Sequence, residues 1–151
     1  MACEHGHEKC QGRDFEQEAK LLEETGFFCH GVMGDEESSP SGFNFHTHGL
    51  PEKNGHPDIQ VVYPIPPEVF QSVINAAVAL VKDGTKFELG AAYDGVLKDM
   101  NVQFAWAVED DRDVLRMILP DDTGETMMEL MKSPYSSQWE GTSNEPKIGK
   151  I

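Results

Sequence analysis

His46, His48 and His56 fall within one eleven-residue stretch and are half of the six histidines in the chain. Imidazole titrates near neutral pH and is the commonest metal ligand, so chemistry would concentrate here. His46 and His48 lie in Gly42-Phe43-Asn44-Phe45-His46-Thr47-His48, which alternates aromatic and polar residues as a strand does. Side chains at i and i+2 of a strand share a face, so Asn44, His46 and His48 project together and Phe43 and Phe45 oppositely. Two imidazoles so placed suit one metal ion. His56 would come from the loop that follows, and His30 or Cys29 from the preceding strand. Register decides which of that pair shares the face, and a one-residue slip exchanges them. Nitrogen and sulfur donors favour zinc or another transition metal. An open coordination position on such an ion would activate water. Asp58 is placed to orient an imidazole by hydrogen bonding. Other readings use the same residues: imidazoles bonded to carbonyls on a sheet face, histidines that order the loop, or metal-free acid–base chemistry.

A second, weaker candidate site is Cys3-x-His5-x-His7-x-x-Cys10, four possible zinc ligands within eight residues. Zinc fingers pair two ligands and then two more across a longer loop, and this spacing does not. A flexible terminus that binds metal adventitiously is the competing account. No Gly-rich phosphate loop and no Gly-x-Ser-x-Gly occurs. Cys29 and His30 are adjacent, and adjacent strand residues point to opposite faces, so they form no thiol–imidazole dyad. The pairs Asp110-Asp111 and Asp121-Asp122 read as solvated turns.

The elements that must carry these residues are legible from periodicity. Residues 1–13 form a polar Cys/His-bearing segment. From Asp14 an apolar stripe (Phe15, Ala19, Leu21, Leu22) marks a helix, capped by Asp14 and closed by Gly26. Phe27–Met33 reads as a strand, Gly34–Ser41 as a loop, Gly42–His48 as a strand, Leu50–Pro57 as a loop and Ile59–Tyr63 as a short buried strand. Pro66-Pro67 opens a long helix over Glu68–Lys82. Its apolar residues cover most of the circumference, which predicts a largely buried helix ending at Gly84. Lys86–Leu89 is a possible strand, and Val96-Leu97 is too short to assign. Val102–Val108 and Val114–Leu119 form an antiparallel hairpin across the acidic turn Glu109-Asp110-Asp111. A short helix is expected over Thr126–Lys132. The organisation is one domain, residues 14–133, followed by a polar tail, 134–151, that is mobile unless Tyr135 and Trp139 dock it. The fold class is α+β: a mainly antiparallel sheet, one long buried helix, and the N-terminal helix packed on it.

At 151 residues the chain can bury a hydrophobic core. A net charge of −15, from 27 acids against 12 bases, would repel a phosphate backbone or an anionic membrane surface. Neither nucleic acid nor membrane is therefore expected as a partner. The first residues have no apolar stretch of a secretory signal, and three cysteines argue against a disulfide framework. Both point to a cytoplasmic protein.

The segment Gly26–Asp122 resembles a bacterial family catalogued as domain of unknown function number 4262. The resemblance is carried by Phe43-Asn44-Phe45-His46-Thr47-His48-Gly49-Leu50, by Gly55-His56-Pro57-Asp58-Ile59-Gln60-Val61, by Val81-Lys82-Asp83-Gly84, and by Leu115-Arg116-Met117-Ile118-Leu119-Pro120-Asp121. His46 stands where many members have tyrosine, His48 where they have a hydrophobe, and Asp58 where they have glutamate. His56 thus matches the family pattern, and His46 and His48 mark a subgroup. The resemblance implies no activity. Two functions follow from the residues themselves. One is a histidine-lined metal pocket suited to hydrolytic or oxygen-dependent chemistry; whether it is an enzyme is left open. The other is a non-catalytic interaction module whose acidic surface meets a cationic partner.

Overall fold

The computed structural model describes residues 14–34 and 39–149. The Cys3/His5/His7/Cys10 segment, part of the Gly34–Ser41 loop and the last two residues lie outside them.

Helix α1 (Phe15–Thr25) begins where Asp14 accepts a hydrogen bond from the Gln17 amide and ends at Gly26, whose φ of 86° is left-handed. It buries none of its residues. Strand β1 (Phe28–Met33) follows and pairs antiparallel with β2 (Phe43–His48). A short helix α2 (Leu50–Asn54) occupies the expected loop and leads to β3 (Ile59–Val61), antiparallel to β2. Helix α3 (Pro67–Lys82) then crosses the sheet, with Pro67 in its first turn and Gly84 at φ 103° just beyond its end. Strands β4 (Tyr93–Leu97), β5 (Met100–Glu109) and β6 (Arg112–Ile118) complete a six-stranded sheet of order β1-β2-β3-β6-β5-β4. The β3–β6 pair is parallel and the other four pairs are antiparallel. The protein is thus an α+β fold with a mixed, mostly antiparallel sheet.

Alternation sorts the two faces of this sheet. Phe45, Ile59, Val61, Leu115, Met117, Phe104 and Val102 meet Phe70, Val73, Ile74, Ala77, Val78 and Val81 of α3 in the core. Truncating a side chain such as Ile74, which is wholly buried, would cost roughly 2–5 kcal/mol. Helix α3 is amphipathic rather than buried all round, since Val69, Gln71 and Ala79 are exposed. The opposite face carries Phe28, His30, Val32, Asn44, His46, His48, Gln60, Arg116, Ala105 and Glu109 by the same alternation.

Two local expectations differ, and the tail takes the docked alternative through Tyr135 and Trp139. Residues 86–89 are not a strand, although Phe87 is buried in the core and stacks on Phe104. Residues 126–132 turn rather than form a helix, with Asp121 accepting the Lys132 amide from across the turn. The C-terminal stretch is docked: a 3-10 turn (Tyr135–Trp139) places Tyr135 on Tyr63, and Ser143 bridges the β5 backbone at Trp106.

Candidate metal centre

The register of β1 on β2 puts His30 directly opposite His46, and Phe28 opposite His48. That settles which β1 residue joins the face: it is His30. Cys29 lies on the other side, lining an apolar groove of about 490 Å³ with Phe45, Phe70 and Gln71. Burial pushes its thiol up to about 12, which leaves it protonated and inert at neutral pH.

His30, His46 and His48 form one cluster. One ligand nitrogen from each lies within 4.8 Å of the other two. The rings meet edge-on, with centroids 5.2 Å apart for His30–His46 and 4.8 Å for His46–His48. All three residues are buried, His46 completely. Immediately after His48 the chain turns at Gly49, at φ 111°. A Cβ built there would stand 2.4 Å from Leu22 Cδ1 and 2.7 Å from the Gly26 carbonyl. Glycine is therefore required where β2 leaves the cluster.

Around the imidazoles lies a set of buried polar side chains. Arg116 Nε donates to Gln60 Oε1 at 2.8 Å, Gln60 Nε2 donates to Asn44 Oδ1 at 3.1 Å, and that same oxygen stands 3.0 Å from His46 Nδ1. Glu109 Oε1 lies 4.0 Å from His46 Nε2, with both side chains wholly buried. Arg112 Nε donates to Glu109 at 2.9 Å, its Nη1 pairs with Asp58, and its Nη2 donates to the Thr47 carbonyl. One guanidinium thus ties the β5–β6 hairpin to β2 and to Asp58, the residue just before β3. Burial lowers the pKa of Arg116 to about 10 against the nearby Glu140 charge, so it remains a cation at neutral pH.

His56 does not join the cluster. Its Nδ1 donates to the Pro57 carbonyl at 2.7 Å, its Nε2 accepts the Phe87 amide at 3.4 Å, and its ring packs edge-on against Phe87. Burial lowers its pKa, so the neutral ring that accepts from Phe87 is favoured. Asp58 holds Thr47 Oγ1 and the Leu50 amide on one oxygen and Arg112 on the other, and among the described residues it orients no imidazole. It fixes the turn after β2 instead.

Sequence reasoning missed Gln60, Arg116 and Glu109. The signal existed. Gln60 interrupts the apolar run Ile59–Val62, and Arg116 interrupts Val114–Leu119, each at the alternation that faces the histidines. Glu109, read as part of an acidic turn, is the last residue of β5 and is buried, whereas Asp110 and Asp111 are the exposed turn. Asp121, also read as solvated, is buried and accepts the amides of Thr123, Glu125 and Lys132.

The fold and site together define an α+β domain with a buried cluster of three histidines on the sheet face opposite α3. Residues 21–125 match the family described as Domain of unknown function (DUF4262), and the chain belongs to that family. No curated protein and no solved structure is detectably similar to it. Among the described residues, no helix is long and apolar enough to cross a membrane.

Proposed function

We propose that this protein binds a transition-metal ion of the zinc class through His30, His46 and His48. The observation that carries the reading is the convergence of three buried ligand nitrogens within 4.8 Å of one another, from two neighbouring strands. Bonds of about 2.0–2.1 Å from imidazole nitrogen to zinc need donors somewhat closer than that, a difference that small ring rotations cover. Three neutral imidazoles do not offset the charge of a divalent ion. Glu109, 4.0 Å from His46 Nε2, is the nearby carboxylate that would. It would either complete the coordination or accept a proton from a water molecule in the fourth position. The second role makes the centre hydrolytic.

The test is metal analysis of tag-free protein purified without chelator and then reconstituted with zinc or cobalt. It is run beside the His46→Ala/His48→Ala variant and a chain lacking residues 1–10. About one ion per chain, lost in the double variant and kept in the truncated chain, is the expected result. No ion in the reconstituted wild type would overturn the reading. Loss of metal only on truncation would move the site to the Cys3/His5/His7/Cys10 segment.

A further inference from the structure

Gln60 and Arg116 sit beside His46 for a reason set by the sheet. His46 is the register partner of Gln60 on β3, and Gln60 is the register partner of Arg116 on β6. The three side chains form one row across three strands, on the face away from α3. Asn44, two residues before His46 on the same face, leans into that row.

The hydrogen bonds along the row have only one consistent direction. A guanidinium carries donors and no acceptor, so the Gln60 atom 2.8 Å from Arg116 Nε must be its carbonyl oxygen. That leaves the Gln60 amide nitrogen for Asn44, and the Asn44 atom it meets at 3.1 Å must be the carbonyl oxygen. A carbonyl oxygen accepts and cannot donate. His46 Nδ1, 3.0 Å from that oxygen, must therefore carry the proton. In the neutral ring the lone pair is then on Nε2, the atom that stands 4.0 Å from Glu109. The Asn44 amide nitrogen is directed the same way, 3.5 Å from Glu109 Oε2. No amide in the row can be turned over without setting two donors or two acceptors face to face.

We infer that Arg116, acting through Gln60 and Asn44, fixes His46 as the Nδ1–H tautomer and so presents Nε2 as its ligand atom. These three are positioning residues: none is a ligand, and each acts through its neighbour. The row is also anchored at its far end. Arg116 Nη1 donates to the carbonyls of Gln138 at 2.9 Å and Glu140 at 2.6 Å, so the docked C-terminal segment holds the guanidinium in place. The consequence for metal affinity rests on the function proposed above. The tautomer itself does not, because it is defined in the metal-free protein.

Two isosteric substitutions separate the relay from general packing. In Gln60→Glu the side chain can accept from Arg116 but cannot donate to Asn44. The Asn44 amide then turns over, which relieves the 3.1 Å contact with the new carboxylate at the cost of a longer 3.5 Å contact between its oxygen and Glu109. Its nitrogen faces His46 Nδ1, and the imidazole proton moves to Nε2, where it points at Glu109. In Asn44→Asp the atom facing Gln60 and His46 is still an acceptor, so the Nδ1–H form is kept. The measurement is two-bond proton–nitrogen correlation NMR on metal-free protein, recorded above the ordinary histidine titration near about 6.5. Wild type and Asn44→Asp are expected as Nδ1–H, and folded Gln60→Glu as Nε2–H. Zinc affinity should fall roughly 10- to 100-fold in Gln60→Glu, the usual effect of losing a hydrogen bond that orients a ligand. An Nε2–H tautomer in the wild type overturns the inference without recourse to any variant, as does Nδ1–H in a folded Gln60→Glu. A wild type that shows the expected tautomer but takes up no metal would remove the proposed function and leave the relay standing.

Discussion

His46 Nε2 and Glu109 Oε1 stand 4.0 Å apart with neither side chain exposed. A carboxylate is not left in an interior without compensation, and Arg112 at 2.9 Å supplies part of it. On the metal-binding reading proposed above, Glu109 has a second role opposite the imidazole. Glu109→Gln keeps the shape and removes the charge. Zinc or cobalt affinity is expected to fall at least about tenfold while the fold is retained, measured by competition with a chromophoric chelator. Unchanged affinity would confine Glu109 to holding Arg112 and Asn44.

His48 and His56 make a matched contrast. His48→Ala removes a cluster nitrogen and should abolish stoichiometric metal. His56→Ala should leave metal content unchanged and destabilise the fold, because the Phe87 amide loses its buried acceptor at a cost of about 1–3 kcal/mol. The His56 contribution depends on pH. Its folded pKa is depressed below 6.5, so the unfolded chain binds the proton more readily. The stability it adds is present above that value and shrinks as pH falls below it. Denaturant titrations of the two proteins at neutral and mildly acid pH check this. A gap that widens on acidification would contradict it.

Much of this was legible from alternation. Phe43 and Phe45 against Asn44, His46 and His48 place the histidines on one face, α1 is legible with its caps at Asp14 and Gly26, and α3 is legible from Pro66-Pro67 and Gly84. Register was not legible. Whether His30 or Cys29 faces His46 depends on cross-strand pairing, which a single strand's periodicity does not encode. Nor could local pattern show that Arg116, from β6, lies one strand from Gln60. That contact comes from the parallel β3–β6 pairing made across the α3 crossover. His56 misleads for a related reason. Its nearness in sequence to the pair suggested a third ligand, but the chain reverses through α2 and delivers it to Phe87.

Asp58 sets burial against ion pairing. Burial raises its pKa from 3.8 to about 6, while Arg112, the Thr47 hydroxyl and the Leu50 amide pull it down and the Glu52 charge adds a small rise. With the folded value above the unfolded one, the folded state holds the proton more tightly. Stability from this group is present below the unfolded pKa and is lost as pH rises through the folded one. Asp58→Asn keeps an acceptor for Thr47 and Leu50 and cannot ionise. The stability of wild type relative to this variant should therefore decline between about pH 4 and pH 7, by on the order of 2–3 kcal/mol. A relative stability that rises over that range would show that the Arg112 pair outweighs burial.

Asp113 tests how the C-terminal segment is held. Its two carboxylate oxygens accept the amides of Lys147 at 2.8 Å, Ile148 at 3.0 Å and Gly149 at 2.6 Å. Three consecutive backbone N–H groups cradling one anion form a nest, and such charge-assisted bonds contribute about 1.5–3 kcal/mol each at most. Gln138 is anchored separately, by a two-way bond with the Leu119 backbone at 2.9 Å in each direction. Asp113→Ala should therefore release residues 147–149 and leave the Gln138 anchor closed. Hydrogen exchange read on peptides would show protection lost at Lys147, Ile148 and Gly149 and kept at Leu119. Loss at both places would mean that the segment opens as a unit. Arg116 would then lose the carbonyls of Gln138 and Glu140 together, and the orientation of His46 would depend on the nest at Asp113 as well as on the row beside it.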